Sequence, residues 1–573
     1  MFRNKRGISL ILIFLVIVVL LILGAAFILR TVAENYAARK EKNSIQAFFL
    51  GEAGANAGLN RIDLLINIDM MDTVNSANPN VLVKHLTKNP DYVGNEDGIG
   101  FLIAYTKEAG LEQFVPSGES AIYTEIPAAL GNGTYEYTIT VTENGDPVEV
   151  GTDAWDFPYN YVIAGTGDVQ NTRRTVLLSG DFTVQVQRDN FARYALFTDH
   201  HTLESGTKVW FTDKTHFYGP VHTNELFSFA LNPSGTFDDL VTQHLDKARF
   251  YNDWSWILAD WDYNNEETGE LIDVPIFNAG YNRGVDPVNL ESSVQKEDLI
   301  YQAWGEPSTP PLGIYVPNDG SNLTAGIYVR GDCTIDMGVD LSGNATYTIT
   351  RGATTNIITV DYDNTQTTVE VVGGSTDTYN GLPDGVDDVG NIIYVDGEVS
   401  SFAGTVQSQS QITVSSENDI IIQDNILYEE YTPAIGNPGD AGYVPPNAEG
   451  YTNLLGILSW GGDVRIGTSA PDDINIRGTV MARNGIFTVD DYNLDLPRGT
   501  ATLLGGTITQ FYGAFGMFNG SSGEQIHGYG RNFIYDGRMG AGESPPYFPS
   551  MRTFIAFTND ITDRITWQEG ESQ

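Results

Sequence analysis

ISLILIFLVIVVLLILGAAFIL, residues 8–29, runs for 22 residues without one charged side chain. As an α-helix that stretch is about 33 Å long, enough to cross a hydrocarbon layer of about 30 Å. The apolar part of a secretory signal is usually only about 7–15 residues. Gly24-Ala25-Ala26 offers small residues for a signal peptidase, yet Phe27, Ile28 and Leu29 carry the apolar run past it. Arg3, Lys5 and Arg6 precede the rod. By the positive-inside rule they hold the N-terminus in the cytoplasm and place the body of the chain across the membrane. Three readings are open: a discarded secretory signal, a plain anchor, or an assembly helix.

The helical pattern does not stop at Arg30. No proline occurs before Pro79, and residues 31–66 are rich in Ala, Glu, Lys, Arg, Leu and Gln, which favour helix. Ile45, Phe48, Ala55, Leu59, Ile62 and Ile66 fall on one stripe at steps of three and four. Glu52 takes the place in that stripe where an apolar residue is due, so its carboxylate should find a polar partner in the head or in a neighbouring subunit. Ala47, Gly51, Gly54 and Gly58 form a second stripe of small residues, which would let another backbone come close. Unbroken from Ile8 to Ile66, the helix would be about 88 Å long, with only its first third in a bilayer.

KRG at 5–7, the apolar helix, and AFFLGEAGANAGL at 47–59 resemble the head of PilX-type minor pilins and related type IV pilin-like proteins. The resemblance covers the first 60 or so positions. It implies that a prepilin peptidase cuts after Gly7, leaving Ile8 as the new N-terminus. It also implies that residues 8–66 pack against other pilin-like subunits, with Leu12, Ala47, Gly51, Glu52, Gly54 and Gly58 as the packing positions. Two departures bear on the kind of subunit. Major pilins begin the mature chain with Phe, where this chain has Ile8, and carry a glutamate where it has Leu12. PilX-type heads and tip-type pseudopilins often lack that glutamate too, so the resemblance implies a minor or tip-type subunit.

Beyond the helix the texture is that of strands, and the expected fold class is α+β, mostly β. TYEYTITVT (134–142), YNYVIAGTGDV (159–169) and TRRTVLLSGDFTVQVQ (172–187) predict a small antiparallel sheet of pilin type under the helix. After about residue 205, short apolar strands alternate with Gly, Asp and Asn. Val399, Ile420, Val464, Phe487 and Ile508 begin successive strands at steps of 21, 44, 23 and 21, the 44 spanning a Pro/Gly-rich insertion at 431–450. A step near 22 predicts one coil of a parallel β-helix, with Val464 and Ile466 inward and Asp463 and Arg465 outward. Residues 346–372 read as a hairpin projecting from it. The expected organisation is a basic leader (1–7), an N-terminal helix (8–66, transmembrane over 8–29), a pilin-like head (67–204), a β-helix-like domain (205–550) and a C-terminal tail (551–573). FARYALFTD (191–199), FYGPVHTNE (217–225), YGRNFIYDGRM (529–539) and PPYFP (545–549) resemble an uncharacterised bacterial family with a pilin-like start and a β-rich body, which has no established activity.

The formal charge is −43; residues 1–42 hold seven Lys/Arg against two Asp/Glu, or +5, leaving −48 for the rest. Such a body repels a phosphate backbone, so nucleic acid is not an expected partner. Cys333 is the single cysteine, which excludes an intrachain disulfide. A glycosidase needs two carboxylates at a set distance. The adjacent pairs Asp387-Asp388, Asp472-Asp473 and Asp490-Asp491 all lie in turn-like sequence, and no catalytic residue is assigned. His200, His201, His216 and His222 cluster in sequence without the spacing of a zinc site. Asp384, Asp387 and Asp388 are calcium candidates, although they match no EF-hand loop. No glycine pattern calls for a nucleotide, and no cofactor is expected. The expectation is a structural, non-enzymatic, pilin-like membrane subunit with the body outside the cytoplasmic membrane. Its partners would be other pilin-like subunits, the membrane and a prepilin peptidase. The alternative is a membrane-anchored β-helix protein that binds or cleaves surface polysaccharide.

Overall fold

Helix α1 (Lys5–Leu64) runs for 60 residues in the computed structural model, about 90 Å. The structure describes residues 5–76, 99–115, 120–125, 127–151, 154–212, 215–230, 235–252, 255–259, 274–290, 296–385, 389–431, 451–494, 496–519, 524–540, 542–558 and 566–569, with Leu86, Lys88 and Gly118. The chain divides into two units, residues 1–187 with 553–573, and residues 188–552.

In the first unit, α1 passes into a π-helical turn, Leu65–Met70, and then α2 (Met71–Ser76). The wider turn lets Leu65, Ile66 and Met70 all be buried, and Arg61 Nη1 reaches Asp69 Oδ2 at 2.9 Å across it. The sheet has eight strands. Its path runs β1 (Ala121–Thr124), β3 (Gly133–Glu143), β5 (Ala154–Val169), β6 (Thr172–Asn190) and then Ser550–Thr558. On the flanks β2 (Ala128–Leu130) pairs with β3, β4 (Val148–Gly151) with β5, and Thr566–Glu569 with β6. β1, β3, β5 and β6 are antiparallel neighbours. Alternation along β3 and β5 turns Ile139, Val141, Tyr161 and Ile163 inward, where they meet Ile62 and Ile66 of the helix and Phe101 and Tyr105 of α3 (Ile99–Ala109). The C-terminal stretch, expected as a tail, returns here with Phe554 and Ala556 in the core. Its alternating SMRTFIAFT is a strand signal that needed a sheet to join.

The second unit is built of stacked parallel strands. One sheet has eleven, and every neighbouring pair but the last, Gly313–Tyr315 with Ile327–Arg330, is parallel. From its Ile327–Arg330 end the strands follow in chain order to Thr507–Phe511. The next neighbour is then β7 (Leu196–His200), followed by Val221–Thr223, Val241–Gln243 and Tyr281–Asn282. The earlier half of this unit thus continues the stack that the later half begins. A second sheet faces the first across one core and runs parallel from Cys333–Val339 to Gln525–Ile534. In it Cys333, Val399, Ile420, Val464 and Phe487 stand in one ladder, each beside the next, and all belong to the same core. Val464 and Ile466 are fully buried, whereas Arg465 between them turns outward to Asp419 and Asp490 at 2.8 and 2.9 Å. Cys333 packs here as a small apolar side chain, its thiol pushed by burial up to about 12.

Two expectations need correction. Ile508 is buried but lies in the other sheet and on its opposite face, with Phe197, Tyr394, Met481 and Leu299 of α4 (Lys296–Trp304). A step of 21 residues matches the spacing of the other strands, yet both faces of that sheet are covered, so burial alone does not tell the faces apart. Residues 346–372 do not project as a hairpin. They form part of a four-strand antiparallel meander (Ala345–Arg351, Thr354–Asp361, Gln366–Val371, Thr376–Asn380) that extends the second sheet. Its alternating pattern provides one apolar face, and Tyr347, Ile349, Ile358 and Val360 close the main core with it.

Candidate membrane and assembly interface

Helix α1 has two regimes. Residues 10–29 are exposed around the whole circumference, and this is a helix long and apolar enough to span a membrane. Leu12 is among these exposed side chains. Gly7 and Ile8 lie in the first turns of α1; Met1–Asn4, the rest of the expected leader, fall outside the described residues. From Ala47 onward the helix is docked on the sheet of its own unit. Ala47, Gly51, Gly54, Ala55 and Gly58 are buried, so the backbone approached by the small-residue stripe is the chain's own. The approach is close on both sides. A Cβ added at Gly165 of β5 would lie 2.2 Å from Ala55 N and Gly51 O, and one at Gly167 would lie 2.1 Å from Ala47 O. On the helix side, a Cβ at Gly54 would come within 2.7 Å of Glu136 O, and one at Gly58 within 2.5 Å of Ile163 Cγ2. Arg174 Nε donates to Ser44 Oγ at 2.8 Å at the end of this contact nearer the apolar rod.

Glu52 is half-buried, and its carboxylate has no hydrogen-bond partner among the described residues; Asn56 Nδ2 donates instead to the Glu52 carbonyl oxygen at 3.1 Å. Ile45 and Phe49, flanking it on the same side of the helix, are more than half exposed.

The carboxylate pairs are spread among turns. Asp472 pairs with Arg498 at 3.1 Å, Asp473 accepts from Thr500 N at 2.9 Å, Asp490 holds Arg465, and Asp491 adopts a turn conformation with φ 52°. Asp384 lies in a turn, while Asp387 and Asp388 fall outside the described residues. Among the described residues no three His, Cys, Asp or Glu side chains are grouped to hold a metal. The histidines have separate partners: His200 with Glu225 at 2.9 Å, His216 with Asp238 at 2.8 Å, and His222 between Thr242 Oγ1 (2.7 Å) and Asn224 Oδ1 (3.0 Å).

These histidines border a second repeat, distinct from the 22-residue step. Phe217, Phe237 and Phe277 form one parallel ladder, and Val221, Val241 and Tyr281 form another. The signal is Phe-x-x-x-Val/Tyr, written FYGPV, FDDLV and FNAGY. His201 is buried against Phe211, Phe227 and Tyr512, with ring centroids 4.7–5.1 Å away, and its Nε2 has no partner among the described residues. Burial, helped by the positive charges of Arg531 and Arg249, lowers its pKa to about 3; burial lowers that of His222 to about 4. The unfolded chain, with imidazoles near 6.5, takes up protons that the folded one refuses. Stability is therefore full above about pH 6.5 and falls as the pH drops toward 4, by about 3 kcal/mol or more. Urea midpoints measured from pH 7 to pH 4 should show this slope, and His201→Phe, which keeps the aromatic packing, should remove about half of it and leave the share of His222. Equal slopes in the two proteins would refute the assignment.

A family described as a domain of unknown function (DUF4900) matches residues 156–243, from β5 through the strand Val241–Gln243. No curated protein and no solved structure matches the chain.

Proposed function

We propose that this protein is a membrane-inserted, PilX-like minor or tip-type pilin subunit that displays a parallel β-helix outside the cytoplasmic membrane. The observation that carries the reading is the division of α1: a bare apolar rod over residues 10–29, then a length clamped onto an antiparallel sheet by glycine-to-backbone contact. A plain anchor needs only the first part. The two stacked parallel sheets with one shared core are read as the walls of the β-helix. The role is structural rather than catalytic, a reading supported by the dispersal of the paired carboxylates into turns and ion pairs. The partners are the bilayer, a prepilin peptidase and other pilin-like subunits. Ile45, Glu52 and Phe49 are the contact positions offered to a neighbouring subunit, and Leu12 places this one rarely in a filament or at its end.

Processing tests the reading. A prepilin peptidase should remove Met1 to Gly7 and leave Ile8 as a methylated N-terminus, keeping the whole rod attached. A secretory signal would be cut near Ala26, and a plain anchor would not be cut. Mass spectrometry of the N-terminal peptide separates the three, and Gly7→Leu should abolish processing in the first case only. An intact Met1 in protein made beside an active prepilin peptidase would refute the proposal.

A further inference from the structure

In the first unit a cleft of about 160 Å³ opens beside α3 and the 3₁₀ turn Leu111–Gln113. Ile103 and Phe157 give it apolar walls, while Glu112, Glu143 and Asp146 bring carboxylates to it. Tyr159 also lines it, and this side chain is the unusual one. It is only 5% exposed, its ring is stacked on Phe182 at 5.1 Å, and its hydroxyl has no hydrogen-bond partner among the described residues. The hydroxyl is not sealed from the cleft that its residue lines, so a ligand seated there can pair with it. Burial, then the charges of Glu143 and Glu112, hold the phenol well above its ordinary pKa, so it stays neutral. Glu143 is fixed in place by accepting from Gly118 N at 3.1 Å, and Glu112 has Lys107 at 3.5 Å.

The lining selects among ligand classes. Three carboxylates repel an anion. A wholly apolar molecule would leave the phenol and the carboxylates desolvated without partners. A divalent cation wants several oxygens converging at 2.3–2.6 Å or closer, and the carboxylates here form no such group. We propose that this cleft binds a primary alkylammonium group, with its methylene stem against Ile103 and Phe157, its charge met by Glu143 and Glu112, and one N–H donated to the Tyr159 hydroxyl oxygen. Two sources share that chemistry, a lysine side chain of another protein and a free diamine. The binding is independent of how the N-terminal helix is processed.

The test is calorimetric titration of the full-length protein in an uncharged detergent. n-Pentylammonium should bind saturably at one site, at least about tenfold more tightly than 1-pentanol, which has the same stem without the charge. Glu143→Gln retains an acceptor for Gly118 N and should weaken pentylammonium about fivefold or more, and Tyr159→Phe about threefold. A blocked Gly-Lys-Gly peptide compared with 1,5-diaminopentane then identifies the source: tighter binding of the peptide points to a protein partner, tighter binding of the diamine to a free metabolite. Absence of saturable binding at millimolar pentylammonium, equal affinity for 1-pentanol, or an unchanged affinity in Glu143→Gln would each overturn the proposal.

Discussion

Val464→Asp should unfold the stacked-strand unit under conditions in which Asp463→Ala leaves it folded. Val464 is fully buried in the ladder between Ile420 and Phe487, in a core made of Ile, Val, Leu, Phe and Tyr side chains from both sheets. A carboxylate at that point must either ionise in an apolar interior or take up a proton and remain an unsatisfied polar group. Added to the lost methyl packing, the cost is about 5 kcal/mol or more, comparable with the stability of a typical domain. One residue earlier, Asp463 faces outward, and its Oδ1 accepts from Ile486 N at 3.0 Å. Burial and the neighbouring Asp419 already raise its pKa, so removing the carboxylate loses one cap and relieves some repulsion. A loss of about 1 kcal/mol is expected. Urea midpoints followed by circular dichroism compare the two variants, and similar shifts would mean that Val464 does not occupy the core.

Gly165→Ala should detach the helix from its sheet. The added Cβ would sit 2.2 Å from Ala55 N and from Gly51 O, both backbone atoms of a rigid helix, so no side chain can swing aside to make room. The helix must lift, which uncovers Ala47, Ala55, Ile62 and Ile66, all fully buried. Each large apolar side chain returned to water costs about 1.5–3 kcal/mol, so a loss of about 4 kcal/mol or more is expected for this unit. Gly167→Ala, with its Cβ 2.1 Å from Ala47 O, should behave alike. Gly24→Ala is the control: nothing lies within 4 Å of its Cβ, and alanine favours helix by about 1 kcal/mol. Hydrogen exchange over residues 45–66 reports the docking directly. Unchanged protection in Gly165→Ala would remove the glycine contact as the device that holds the helix.

Much of this architecture is written locally. The apolar run 8–29 needs no partner in the chain to be read as a rod, because its length and lack of charge are properties of the segment alone. The alternation in 134–187 likewise announces strands, and four residues of the 22-residue step, Val399, Ile420, Val464 and Phe487, do stand in one ladder. The Phe-x-x-x-Val/Tyr repeat was equally present in the sequence. Its strands are only two or three residues long and its intervals are 20 and then 40, too short and too uneven for a periodicity to stand out.

Other features belong to the tertiary structure. The small stripe Ala47, Gly51, Gly54 and Gly58 declares that a backbone comes close, but only the fold shows that Gly165 and Gly167 are what it meets. Tyr159 reads as one more strand aromatic until α3 and the turn after it form a cleft that it lines. Nothing near Leu196 states that it will lie beside Thr507, or that Phe554 will return to the sheet under the helix. Period and polarity are set by neighbours in the chain and decide which side of a segment is buried. What it is buried against is decided by contacts hundreds of residues apart, which form only where the packing of the whole unit offsets the entropy of closing such long loops.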